Sequence, residues 1–167
     1  DPAGVKSAKT AVEAFQKIAQ AKAIFISRGD KSGTNTMELG LWKKANITPA
    51  GDWYRQSGQG MGATLRIASE LGGYTLTDRA TYLANQSTLS LDILSQGDPG
   101  LLNVYHVIVV NPAKCPQTNL KGAQAFAQFM IAPDTQKNLI ATFGVDKYGQ
   151  PLFFADADKT DAQLGLQ

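Results

Sequence analysis

Residues 27–34 read Ser-Arg-Gly-Asp-Lys-Ser-Gly-Thr, the densest group of anion-capable side chains in the sequence. They follow a short apolar run and precede a helical pattern. A strand that ends in a Gly-bearing loop and enters a helix aims unpaired backbone N–H groups, and the positive end of the helix dipole, at one point. Ser27, Ser32 and Thr34 add hydroxyl donors, and Arg28 adds a charge on a planar fork of donors. The plain structural reading stands beside this one: Ser32 or Thr34 as an N-cap, Gly33 as a turn residue, Arg28 as a surface charge. Asp30 fits an Asx-turn. The loop does not follow Gly-x-x-x-x-Gly-Lys-[Ser/Thr], which argues against a nucleotide P-loop. A second loop, Gly58-Gln59-Gly60-Met61-Gly62, places three glycines in five residues before another helix. It suits either close backbone approach to a ligand or a tight turn.

These loops need elements to hold them. Val5, Ala8, Val12, Phe15, Ile18 and Ala19 recur at helical spacing and predict a helix over 4–22. Ala23-Ile24-Phe25-Ile26 predicts a buried strand. A second helix carries Met37, Leu39, Leu41 and Trp42 up to Ala45, and Pro49 and Gly51 mark a turn-rich connector. A third helix is expected over 65–71, ending at Gly72-Gly73. A short strand over 74–77 follows, then a short helix over 78–83 capped by Thr77 or Asp78. Residues 89–94 alternate like a strand, and 96–100 read as a turn. Residues 104–110, Val-Tyr-His-Val-Ile-Val-Val, form the strongest strand signal, ended by Asn111-Pro112. Two helices close the pattern, one over 120–131 with Ala123, Phe126, Ala127 and Met130 on one face, the other from Pro133 to about 143. The order α-β-α-α-β-α-β-β-α-α is an α/β pattern with crossover helices. One boundary is expected near 103–112.

Composition narrows the function classes. The chain has 167 residues, 43% hydrophobic, with 16 Lys and Arg against 14 Asp and Glu, a net charge of +2. A balance so near zero argues against broad electrostatic binding to nucleic acid or membrane, while allowing one cationic pocket. Apolar content is too high for disorder, and no run approaches the length of a membrane span. The only cysteine, Cys115, allows no internal disulfide and no Cys-rich zinc site. The only histidine, His106, removes most histidine-based catalysis and most metal chemistry, and its place in an apolar strand reads as structural. No Gly-x-Ser-x-Gly elbow surrounds any serine, and the aspartates lack EF-hand spacing. No catalytic constellation and no metal site emerge. The chain opens Asp1-Pro2-Ala3-Gly4, without an initiator Met or a signal-peptide pattern, so a processed or excised piece is expected.

Several motifs together carry a resemblance. They are Phe25-Ile26-Ser27-Arg28-Gly29-Asp30-Lys31-Ser32-Gly33-Thr34, Glu38-Leu39-Gly40-Leu41-Trp42-Lys43, Ala50-Gly51-Asp52-Trp53-Tyr54, Gly58-Gln59-Gly60-Met61-Gly62-Ala63-Thr64-Leu65-Arg66-Ile67-Ala68, Tyr74-Thr75-Leu76-Thr77-Asp78-Arg79 and Phe143-Gly144-Val145-Asp146-Lys147-Tyr148-Gly149-Gln150-Pro151-Leu152-Phe153-Phe154. Nearly end to end, the chain resembles the tungstate-binding proteins of bacterial ABC transporters, within the periplasmic binding protein superfamily.

The resemblance implies a two-lobe α/β fold closing over an oxyanion, of which this chain holds the second lobe (1–104) and the C-terminal return segment (105–167) that packs on an absent first lobe. It implies binding without catalysis, with no cofactor and with tungstate or molybdate as ligand. The family's arginine and threonine ligands match Arg28 and Thr34. Ser27, Ser32 and Gly33 join them from the loop argument. Both anions are dianions without a proton at neutral pH, so donors alone satisfy them. The implied partner is a membrane permease, with no nucleic acid, and a homodimer through the exposed lobe junction is expected. The implied location is periplasmic or extracellular, including a lipoprotein-anchored form. The alternatives are an oxyanion-sensing regulatory domain of a larger protein and a small hydrolase using Ser27 and His106.

Overall fold

A computed structural model describes residues 1–164. They divide into two compact units, Asp1–Leu102 and a second that begins at Asn103.

The first unit is built on helix α1 (Ala11–Gln20), strand β1 (Phe25–Ser27), helix α2 (Gly33–Lys44), strand β2 (Tyr54–Gln56), helix α3 (Met61–Glu70) and helix α4 (Arg79–Asn85). The predicted helix over 4–22 is broken. Asp1 accepts the Val5 and Lys6 N–H groups at 2.9 Å each and closes a separate 3-10 turn over Val5–Ser7. Ala8 and Thr10 are extended, and Thr10 then caps α1 by accepting the Glu13 N–H. A local carboxylate competing for the first N–H groups ends the helix early.

β1 is buried along its whole length and lies at the centre of a parallel arrangement. β2 pairs with it in the register Phe25↔Tyr54, Ile26↔Arg55, Ser27↔Gln56. On its other side the predicted strand over 74–77 shrinks to one parallel bridge, Phe25↔Tyr74. β2 itself lies inside what the sequence presents as connector: two polar residues, Arg55 and Gln56, hide a three-residue strand from any apolar-pattern test. The chain thus leaves β1, returns through α2 to one side of it, and returns through α3 to the other. This is a parallel sheet whose order reverses around its first strand.

The core beneath is aromatic. Phe15, Phe25 and Trp42 meet with centroids 4.4–5.4 Å apart, and Tyr54 stacks on Phe25 at 6.1 Å. α3 begins at Met61, four residues before the predicted start, because Gly60 is its N-cap. α4 is capped by Asp78, whose carboxylate accepts from Thr81. Residues 89–94 form no strand.

The second unit contains α5 (Leu120–Ile131), a π-helical turn over Thr135–Ile140, α6 (Val145–Tyr148) and α7 (Asp161–Leu164). α5 matches its predicted bounds. Residues 104–110, predicted as the strongest strand, are not one: no ladder partner reaches them among the described residues. Tyr105 is 72% and Ile108 82% exposed, and His106 is exposed rather than packed in a strand. Strand propensity needs a neighbouring strand to bond, and among its described residues this unit supplies helices and turns.

Candidate functional site

Both glycine-bearing loops singled out in the sequence leave the carboxyl ends of neighbouring parallel strands, 28–32 after β1 and 57–60 after β2. In open α/β sheets ligands bind outside these strand ends, where the order reverses. The loops are bonded to each other. The Ser57 N–H donates to the Ser27 carbonyl at 2.8 Å, and the Gly58 N–H to the Arg28 carbonyl at 2.9 Å. Gly29, at φ +62°, passes so close to Gln56 that an added Cβ would sit 2.9 Å from the Gln56 Cβ.

α2 and α3 both start here, and neither has an acidic residue in its first turn. Ser32 caps α2 by accepting the Asn35 N–H at 3.3 Å. The Gly33 and Thr34 N–H groups, first in the helix, have no intrahelical acceptor. α1 and α4 differ: the Asp98 carboxylate accepts the Ala11 N–H at 2.7 Å, and Asp78 caps α4.

Arg28 reaches over this loop. Its Nη2 pairs with Asp30 Oδ2 at 2.5 Å, while its Nε is fully buried with no acceptor. A buried guanidinium N–H left unpaired is costly and marks a position where an acceptor belongs. Asp30 also accepts the Ser32 N–H at 3.1 Å, an Asx-turn. Hydrogen bonding from Ser32, and then the Arg28 guanidinium, hold its carboxyl below the ordinary value.

Ser27 lies beneath the loop rather than on it, 1% exposed. Its hydroxyl donates to Glu38 Oε2 at 2.5 Å and accepts from Gly29 N–H and Asn35 Nδ2 at 3.2 Å each. One donor and two acceptor positions are all in use, so it has no proton left for an anion. None of these partners is a histidine. The sequence groups Ser27 with the loop's hydroxyl donors; in the structure its proton goes to Glu38, an alcohol at a strand end being equally able to face inward. Of the other named residues, Ser32 is the cap, and Gly33 and Thr34 open α2.

Sequence reasoning passed over Glu38, Asn35, Trp42 and Tyr54. Glu38 is 2% exposed, and its oxygens accept from four donors: Ser27 Oγ, Asn35 Nδ2 at 3.3 Å, Trp42 Nε1 at 3.0 Å and Tyr54 Oη at 2.8 Å. Burial, and then the Glu38 carboxylate, push the Tyr54 phenol up to about 12. The signal was available in the spacing. Asn35, Glu38, Leu41 and Trp42 are the buried face of α2, whereas Leu39, expected inside, is exposed. Among the described residues, no group of His, Cys, Asp and Glu is arranged to hold a metal ion.

Two helix starts without first-turn acids and a buried, unpaired guanidinium N–H thus lie at the carboxyl edge of one parallel α/β sheet. The PBP superfamily domain matches residues 1–134, and the chain belongs to that superfamily. It is 47% identical over 148 residues to a tungstate-binding protein TupA of Peptoclostridium acidaminophilum, covering 89% of this chain and 51% of that protein. To the tungstate-binding protein TupA of Campylobacter jejuni it is 42% identical over 154 residues, covering 89% and 56%. Among solved structures, the tungstate-binding protein TupA of Desulfovibrio alaskensis G20 superimposes with a TM-score of 0.74 at 42% identity, over 95% of this chain and 64% of that one. The chain spans about half the length of the curated relatives it matches. Its fold is part of an α/β domain of the periplasmic-binding-protein kind, as the resemblance implied.

Proposed function

We propose that this chain is the part of an ABC importer's solute-binding component that grips a tetrahedral oxyanion, tungstate or molybdate, for delivery to a membrane permease. The observation that carries the reading is the buried, unpaired Nε–H of Arg28 beside the open start of α2. Relatives named for tungstate binding support it. Arg28 supplies charge and a directed donor, Thr34 a hydroxyl, and the Gly33 and Thr34 backbone two N–H groups, while Ser32 keeps the helix start in shape. Donors without a free acceptor suit a dianion that carries no proton. Capture needs no bond making or breaking and no cofactor.

On this reading residues 1–104 correspond to the second lobe, and 105–167 to a return segment seated on a first lobe outside this sequence. Closure of the lobes desolvates the anion and forms the surface a permease reads. The whole protein then works in the periplasm or outside the cell, free or lipid-anchored. In isolation, the apolar segment around Tyr105 and Ile108 drives pairing of two copies.

Isothermal titration of the chain with tungstate, molybdate, sulfate and phosphate at low ionic strength tests this. Submicromolar binding of tungstate, lost in Arg28→Ala, is the expected result. Tungstate binding by Arg28→Ala at wild-type affinity overturns it.

A further inference from the structure

Resting on that reading of the loop, we propose that Glu38 is a positioning residue that shapes the anion loop from below, acting through Ser27 on Gly29 and through Asn35 on Lys31. It touches no ligand itself.

The hydrogen-bond inventory closes around it. An ionised carboxylate accepts at about four lone-pair positions, and Glu38 has four donors. Among the described residues no ion pair includes it, so these four dipoles alone hold the charge. Because a carboxylate only accepts, Ser27 must turn its hydrogen to Glu38 and present lone pairs upward. Gly29 N–H takes one of them at 3.2 Å. For the same reason Asn35 must face Glu38 with its amino group, which leaves Oδ1 to accept the Lys31 N–H at 3.1 Å. Gly29 and Lys31 are the two loop residues in the left-handed region, φ +62° and +60°. Lys31 carries a side chain there, a conformation that needs support from its surroundings. The buried acid thus decides which loop amides are spent on the fold. The Gly33 and Thr34 amides stay open.

Glu38→Gln tests this while keeping shape. The indole N–H of Trp42, 1% exposed, cannot reverse, so the new amide must keep its oxygen there and turn its NH2 toward Ser27 and Asn35. Ser27 then loses its fixed direction, and Asn35 must rotate, which takes Oδ1 from Lys31. On the full chain, amide exchange followed by NMR should quicken about fivefold to tenfold at Gly29 and Lys31, the scale of one neutral hydrogen bond at each, with Ile18 and Leu65 unchanged. Two further variants separate the branches: Ser27→Ala should release Gly29 but not Lys31, and Asn35→Ala the reverse. Unchanged loop amides in these variants, or acceleration spread evenly over α1 and α3, overturn the proposal. The even pattern is what a merely structural acid would give, and the two branch variants decide the matter if Glu38→Gln does not fold. Titration with sodium tungstate should show about tenfold weaker binding by Glu38→Gln than by wild type. A wild-type chain that binds no tungstate removes the functional reading, and the exchange data still judge Glu38.

Discussion

Arg28 and Thr34 belong to the same loop and helix start, yet their removal should differ by an order of magnitude or more. A guanidinium about 4 Å from a dianion is worth at most roughly 8 kcal/mol at an effective dielectric near 20, before desolvation is subtracted. One neutral hydroxyl bond contributes about 1 kcal/mol. Titration with tungstate should therefore show a loss on the order of a hundredfold or more for Arg28→Ala, and about fivefold for Thr34→Val. Equal losses would mean that the charge of Arg28 is not what holds the anion. Tyr54 offers a second check at this scale. Its phenol, pushed up to about 12 by burial and the Glu38 carboxylate, is favoured in its protonated form by the fold. A raised folded value stabilises the protein at pH below the phenol's ordinary value of 10.0, and that contribution disappears as pH climbs through the folded value. Absorbance titration at alkaline pH should show one late tyrosine, absent in Tyr54→Phe. A set of tyrosines titrating together near their ordinary value counts against the Glu38 contact.

Elements hold these residues through backbone shape. Gly29 has both a positive φ and a near contact with Gln56, so Gly29→Ala should cost on the order of 1–3 kcal/mol in denaturant unfolding. Gly33 sits in the first turn of α2 with nothing within 4 Å of an added Cβ. Gly33→Ala should be neutral or stabilising by up to about 1 kcal/mol, because alanine is the better helix former. Reversed signs for the pair would refute the described loop geometry. The contrast separates a glycine the turn requires from one that only leaves room.

For the whole molecule, the main fact is apolar surface in a chain half the length of its relatives. Tyr105, Ile108, Phe126 and Phe129 are all exposed in the second unit. Residues 104–110 also lie in no sheet among the described residues, which leaves them a template for another strand. If the surface drives self-association, light scattering should find concentration-dependent dimers, and Ile108→Asp should shift them toward monomer without weakening the first unit. Monomers at all concentrations would exclude pairing through this segment.

Much of this protein was legible in its amino-acid order. The strand at Phe25, the bounds of α5, the cap at Asp78 and the two glycine loops all follow from local pattern, because caps, turns and helical spacing are decided within a few residues. Other features depended on what each segment meets in space. Residues 104–110 have every local mark of a strand and form none, since a ladder needs a partner. β2, polar and three residues long, forms because Phe25, Ile26 and Ser27 lie beside it. Which way Ser27 points was decided by Glu38, eleven positions away: a hydroxyl turns to the strongest acceptor within reach, and only the folded chain brings that acceptor there.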